Sequence, residues 1–277
     1  MRHNSLLHCT DSAVEFTLAA IGNNVPTTPA PIYQNWQFWS AIVAFFALAL
    51  SQLPPVYLWF RPRRLEVEVH SRLQVTHKVG NPNVGMYMSV RNTGGRELRI
   101  LSMKLAVARD GTPLGTFPAQ TYFESPSSQS SVLFVPFSLK PGETWAHGTN
   151  FLQSFDRATD KLYRESESAL WADVHRKIAA RPKDCQEAVR AEAELVKPFL
   201  DLFDRLFVWL PGEYVIELIV DTTPGSASFG RQYRFTLYES ESAELRSHTD
   251  DYVFGGGLKY NVDRHVGVLV PLSQHVG

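Results

Sequence analysis

The chain has 277 residues, a formal net charge of −1 and two cysteines. That length allows one large domain with an appendage, or two small ones. The near-neutral balance excludes a general field that would gather nucleic acid or anionic lipid, and ordinary apolar and charged fractions exclude wholesale disorder.

Residues 1–35 carry only Arg2, Asp11 and Glu15 as formal charges. They read as a short extracytoplasmic tail, with a short helix over 12–21. "NNVPTTPAPIYQ", residues 23–34, reads as an extended linker. A cleaved leader needs a basic start followed at once by an apolar stretch, and here the apolar stretch begins late with no basic flank.

Residues 36–60 contain no Asp, Glu, Lys or Arg. Trp36 and Trp39 mark one end, and Tyr57 and Trp59 the other, as interfacial aromatics do around a spanning helix. A surface-lying helix would carry a charged face, and this one has none. The pattern therefore predicts a single transmembrane helix with an interfacial collar. Arg61, Arg63, Arg64, Arg72 and Lys78 follow it, whereas residues 16–35 hold no Lys or Arg. The positive-inside rule then sets the N-terminus outside and the C-terminal domain in the cytoplasm, at the cell (inner) membrane. Pro54 and Pro55 stop regular helix near Gln52 or Leu53, leaving about 27 Å of helix against a hydrocarbon core of about 30 Å. The alternative is a kinked helix running on to Phe60.

After Arg64 the pattern alternates. Leu65, Val67 and Val69 interleave with Glu66, Glu68 and His70, the period of a strand. Strands are expected at 84–91, 97–108, 131–138 and 144–151, with a short one after the Asp110–Gly111 turn and a hairpin over 212–240. Turns fall at Asn92–Gly95 and Pro141–Gly142. "VRNTGGREL", "LKPGETW" and "LPGEYVIELIV" resemble the turns of immunoglobulin-like or fibronectin-type-III-like sandwiches, and the whole chain is similar to membrane-anchored bacterial proteins of uncharacterised type. The resemblance covers about residues 65–150 and 211–240. It implies an antiparallel immunoglobulin-like β-sandwich used for binding or scaffolding more often than for catalysis.

The expected architecture is mainly β. A sandwich over 65–245 carries an inserted α-helical hairpin at 154–210, and a tail at 246–277 holds a further edge strand. In the insertion, Leu162, Leu170, Trp171, Val174 and Ile178 recur at helical spacing between Asp156 or Thr159 and Arg181–Pro182. A second helix is expected from near Asp184 to about Leu210, kinked or broken at Pro198. The apolar face of "FLDLFDRLFVWL" packs against the sandwich or the first helix. The sharper alternative makes Phe199, Phe203, Phe207 and Trp209 contacts for a membrane or a protein partner. The polar loop Ser125–Ser131 sits where binding loops of a sandwich lie. The apolar run "HVGVLVPL", behind the hinge Gly255–Gly257, forms an edge strand or pairs with another chain.

Chemistry is harder to find. Asp263 and His265 share a strand face, His248 precedes Asp250 and Asp251, and Trp145 and His147 flank a turn. None of these has ligand or triad spacing, so solvated histidines are expected. No nucleophile signature occurs, and "FGGGLK" lacks the context of a phosphate loop. Cys9 and Cys185, far apart and on opposite sides of the expected membrane, do not suggest a disulfide framework. No catalytic residue, metal or cofactor is expected, nor a nucleic-acid or evident small-molecule partner. The first expectation is a tether that binds or scaffolds a protein at the bilayer, where anchoring raises local concentration. The second is a membrane-acting bacterial defence or stress effector that self-associates. The third is an enzyme whose His147, His175 or His265 meets Asp250 or Asp263 only in the fold.

Overall fold

The computed structural model describes residues 36–52, 61–125, 127–128, 130–182, 187–258 and 267–274. It divides at Pro54–Pro55 into two units.

The first unit holds helix α1, Trp36–Gln52, 17 residues long. This overturns the expected single transmembrane helix. At 1.5 Å per residue α1 spans about 26 Å, short of the roughly 30 Å of hydrocarbon. Among the described residues no helix is long and apolar enough to cross a membrane. The length is what a stop ahead of Pro54–Pro55 leaves. The collar residues Tyr57 and Trp59 lie outside the described residues. The hydroxyls of Ser40 and Ser51 donate to Gln37 O and Leu48 O, so both serines are satisfied within α1.

The second unit is built on twelve antiparallel strands: β1 (Leu65–Val69), β2 (Arg72–Lys78), β3 (Asn81–Asn92), β4 (Leu98–Arg109), β5 (Thr112–Phe123), β6 (Val132–Leu133), β7 (Phe137–Leu139), β8 (Thr144–Leu152), β9 (Gly212–Thr223), β10 (Phe229–Leu237), β11 (Val268–Pro271) and β12 (Ser273–Gln274). The order is β11-β2-β3-β8-β5-β4-β9-β10-β12, with β1 beside β3, β6 beside β5 and β7 beside β4. Two separate sheets, as in an immunoglobulin-like sandwich, are therefore not what forms. The sheet is nearly closed into a barrel, for two physical reasons. Strand β5 pairs with β4 up to Pro118 and with β8 from Ala119 onward, through an irregular register, so one strand serves both halves. At the other side β11 pairs with β2 and β12 with β10. Only Leu272 separates them, and its N–H donates to Ser71 O at 2.8 Å. One short stretch of chain thus straps the two ends of the strand order together.

Parity explains the core. Leu73 and Val75 on β2, Val84, Met86, Met88 and Val90 on β3, and Ile216, Leu218 and Val220 on β9 alternate with less buried neighbours and fill the interior. The turn after β3 is held by Asn92, whose Nδ2 donates to Arg96 O and Leu139 O and whose Oδ1 accepts the Gly94 N–H. The expected single strand at 131–138 is split into β6 and β7, with Phe134–Pro136 between them.

Helices α2 (Arg157–Ala180) and α3 (Ala193–Leu206) form the insertion, and α4 (Glu239–Ser247) leads into a 3-10 turn at His248–Phe254. Asp156 caps α2 by accepting the Thr159 N–H at 2.8 Å. Helix α3 begins at Ala193 rather than near Asp184, contains Pro198, and stops at Leu206. Tyr163, Leu170, Phe199, Phe203 and Tyr252 make a second core with Val79 from the β2–β3 turn.

Candidate functional site

The apolar end of the insertion faces inward. Phe199, Phe203 and Trp209 are buried, and Phe207 is half-buried where the two cores meet. Burial takes Phe199, Phe203 and Trp209 out of the expected partner contacts. After α3 the chain turns extended and carries Trp209 into the barrel, where it packs beside Phe117 and Tyr214. Its backbone carbonyl accepts the Ser242 hydroxyl at 2.7 Å. Tyr214 donates to Leu210 O at 2.6 Å, and burial pushes its phenol up to about 12.

The loop at 125–131 closes on itself. Ser128 N–H donates to Ser125 O at 3.0 Å, and the Ser125 hydroxyl lies 3.0 Å from those of Ser127 and Ser128. Ser131 is exposed. The next residues expose apolar side chains, Leu133 at 72% and Val135 at 61%. Phe134 and Phe137 turn the other way, against Trp145, which stands 4.7 Å from the ring of His147. Exposed apolar residues beside a self-bonded polar loop are features of an interaction surface.

Among the described residues the titratable groups do not assemble an evident catalytic site. His147 sits among Trp145 and Tyr122, with Nδ1 3.0 Å from Phe123 O. His175 packs on Trp171, and His248 on His77. Asp263 and His265, like Cys9 and Cys185, lie outside the described residues. Ser102 donates to Asp221 at 2.7 Å. That bond, with Lys104 beside it, holds the carboxyl below the usual range and makes it a weak base. Among the described residues no group of three His, Cys, Asp or Glu is placed to hold a metal.

His77 escaped the sequence reading. It lies in the inward parity of Leu73 and Val75, which was the available signal. It is buried, its Nδ1 accepts the Gly80 N–H at 3.1 Å, and its Nε2 lies 2.8 Å from Leu245 O. Phe203 and Phe207 pack edge-on to the ring. These contacts rivet the β2–β3 turn to α3 and α4, a structural duty.

A second surface also escaped it. A trough of about 260 Å³ lies on the outer face of the sheet. Its first row runs Leu269, Gln74, Gly85 and Asn150 across β11, β2, β3 and β8, and Thr121 of β5 pairs with Asn150 beyond it. The adjacent row runs Tyr87, Gly148 and Phe123. The two glycines lower the floor. Asn150 Nδ2 donates to Thr121 Oγ1 at 3.1 Å, and His70 and Arg72 line one end.

No family model matches the chain, and no curated protein matches it either.

Proposed function

We propose that the protein is a membrane-associated binding protein, held to lipid by α1 and presenting the barrel to a protein partner. The observation that carries the reading is α1 itself: it is uncharged and almost wholly exposed, with Trp36 at 80% and Phe45 at 67%. A helix that is apolar on every side finds its stable place in an apolar medium. Trp36 and Trp39 suit the headgroup boundary. Arg61, Arg63 and Arg64, all exposed, follow α1 in sequence and suit anionic headgroups. The Arg64 carbonyl accepts the Thr93 N–H at 3.0 Å, so this basic stretch is fixed to the barrel. Partner contact is assigned to Ser125, Ser131 and the apolar residues Val132, Leu133 and Val135.

Flotation with phosphatidylcholine–phosphatidylglycerol vesicles tests the attachment. The full chain floats, and a chain lacking residues 36–52 stays in the dense fraction; equal flotation of both overturns the reading. A photo-crosslinker at Leu133 tests the surface in native membranes. A discrete heterologous adduct that disappears on Ser131→Glu supports a protein partner. An adduct of two copies of this chain replaces that partner with self-association, and absence of any adduct removes the surface.

A further inference from the structure

Three features of the outer trough point to a ligand. First, its floor is made by Gly85 and Gly148, both inside strands, where glycine weakens a sheet and commonly marks close approach of a ligand or another backbone. Neither needs a left-handed backbone. At Gly148 a Cβ would meet only the Phe123 ring, at an ordinary 3.7 Å. A side chain would fit there, and it would fill the trough. Second, aromatic rings stand on both sides of that glycine. Tyr87 is 45% exposed, and Phe123 is half-buried and leans over Gly148. They belong to strands two apart, so their Cα atoms are about 10 Å from each other. Third, the other row supplies amides. Gln74 and Asn150 flank Gly85, with the Gln74 Oε1 and Asn150 Oδ1 both turned toward it. Arg72 lies at the end, and among the described residues no Asp or Glu lines the trough.

An aromatic platform beside neutral amides matches a ring with an apolar face and a hydroxylated edge. A cation at the end of the row matches an acid on that ring. The volume is below the roughly 300–1,000 Å³ of drug-sized sites, so the trough holds one ring, or one ring of a chain passing across it. We propose that this face of the barrel binds an acidic sugar, a carboxylated pyranose alone or within a chain. Its ring lies on Tyr87 and Phe123, its hydroxyls meet Gln74 and Asn150, and its carboxylate faces Arg72. Its lining residues are other than those assigned to partner contact, and the proposal stands or falls without that assignment.

Titration calorimetry with the full chain in detergent tests it, using oligogalacturonate as the probe and neutral maltohexaose for comparison. Binding of the acidic oligomer in the micromolar to millimolar range is expected, weakened about tenfold or more by Tyr87→Ala, as loss of a stacking ring implies. Gly148→Val abolishes binding while leaving the thermal midpoint unchanged or raised, because valine suits a strand. Arg72→Gln removes the preference for the acidic oligomer. Equal affinity for the neutral oligomer overturns the assignment of the acid. No heat with either oligomer, or binding that survives Tyr87→Ala and Gly148→Val together, overturns the site. Displacement of the sugar by an extended peptide reassigns the trough to a protein ligand and equally overturns it.

Discussion

The indole N–H of Trp209 donates to the main-chain carbonyl of Thr76 at 2.8 Å. One bond thereby fastens the end of the helical insertion to strand β2, 133 residues earlier. Trp209 is fully buried, so removing the ring leaves a cavity and an unpaired carbonyl together. Trp209→Ala is expected to cost about 3–5 kcal/mol. Trp209→Phe keeps most of the volume but loses the donor, and is expected to cost about 1–3 kcal/mol. Urea unfolding of both variants measures the difference. A Trp209→Phe midpoint equal to that of wild type would mean that the hydrogen bond contributes nothing, and equal midpoints for the two variants that the ring volume contributes nothing.

Gly80 follows Val79 in the two-residue turn between β2 and β3, and both have positive φ, 49° and 80°. Such a pair is the tight turn whose twist suits a hairpin. A Cβ on Gly80 would stand 2.7 Å from the Phe203 carbonyl oxygen at the end of α3. Backbone conformation and space both exclude it. Gly80→Ala is expected to lower stability by more than about 1 kcal/mol. Amide hydrogen exchange should report faster opening in α3 as well as in the hairpin, and a loss confined to the hairpin would break the link argued through His77.

Asp173 on α2 is buried and surrounded by donors. The Lys177 ammonium lies 2.7 Å away, the Arg176 guanidinium donates to it, and the Glu192 N–H donates at 3.1 Å. The bond to Lys177 is the largest cause that brings its carboxyl from 3.8 down to about 2. A folded value below the unfolded one stabilises above the unfolded value and is lost as pH falls through the folded one. Wild type should therefore melt above Asp173→Asn at neutral pH, and the two melting curves should converge between about pH 4 and pH 2. A constant gap across that window would contradict the assignment.

Thr149 on β8 is fully buried, and its hydroxyl has no hydrogen-bond partner among the described residues. Valine has nearly the same shape and no polar atom to desolvate. Thr149→Val is expected to stabilise by about 1 kcal/mol in chemical denaturation. A destabilised variant would show that the hydroxyl is satisfied after all.

Much of the barrel was legible because strand parity is local. Leu65 and Val67, or Leu73 and Val75, declare their inward face within a few residues, and Asn92 declares its turn by its own side-chain chemistry. The start of α2, read as Asp156 or Thr159, was equally local, and the cap is Asp156. Closure was not, since nothing near Pro118 says that β5 leaves one half of the sheet for the other. Nor does the run from Phe199 to Trp209 say where helix gives way to extended chain. Both Phe203 and Trp209 are apolar at useful spacing, and only the position of the barrel mouth decides that they are core and not contact. The outer trough was the least legible feature. Its residues come from five strands, and each looks like an ordinary outward position. Gly85 and Gly148 were the only local hints, as glycines inside otherwise good strands.

The strap from Val268 to Gln274 also sets an order of events. Every other described strand is translated before it, yet its partners Leu73 and Val75 belong to one of the earliest strands. Until those residues are made, the edges of β2 and β10 that they cover have no strap. Bare edges pair with whatever strand is near. The interval before the strap emerges is thus the period in which the nascent chain is most exposed to mispairing, and chaperone dependence should track the arrival of those seven residues more closely than the arrival of the core.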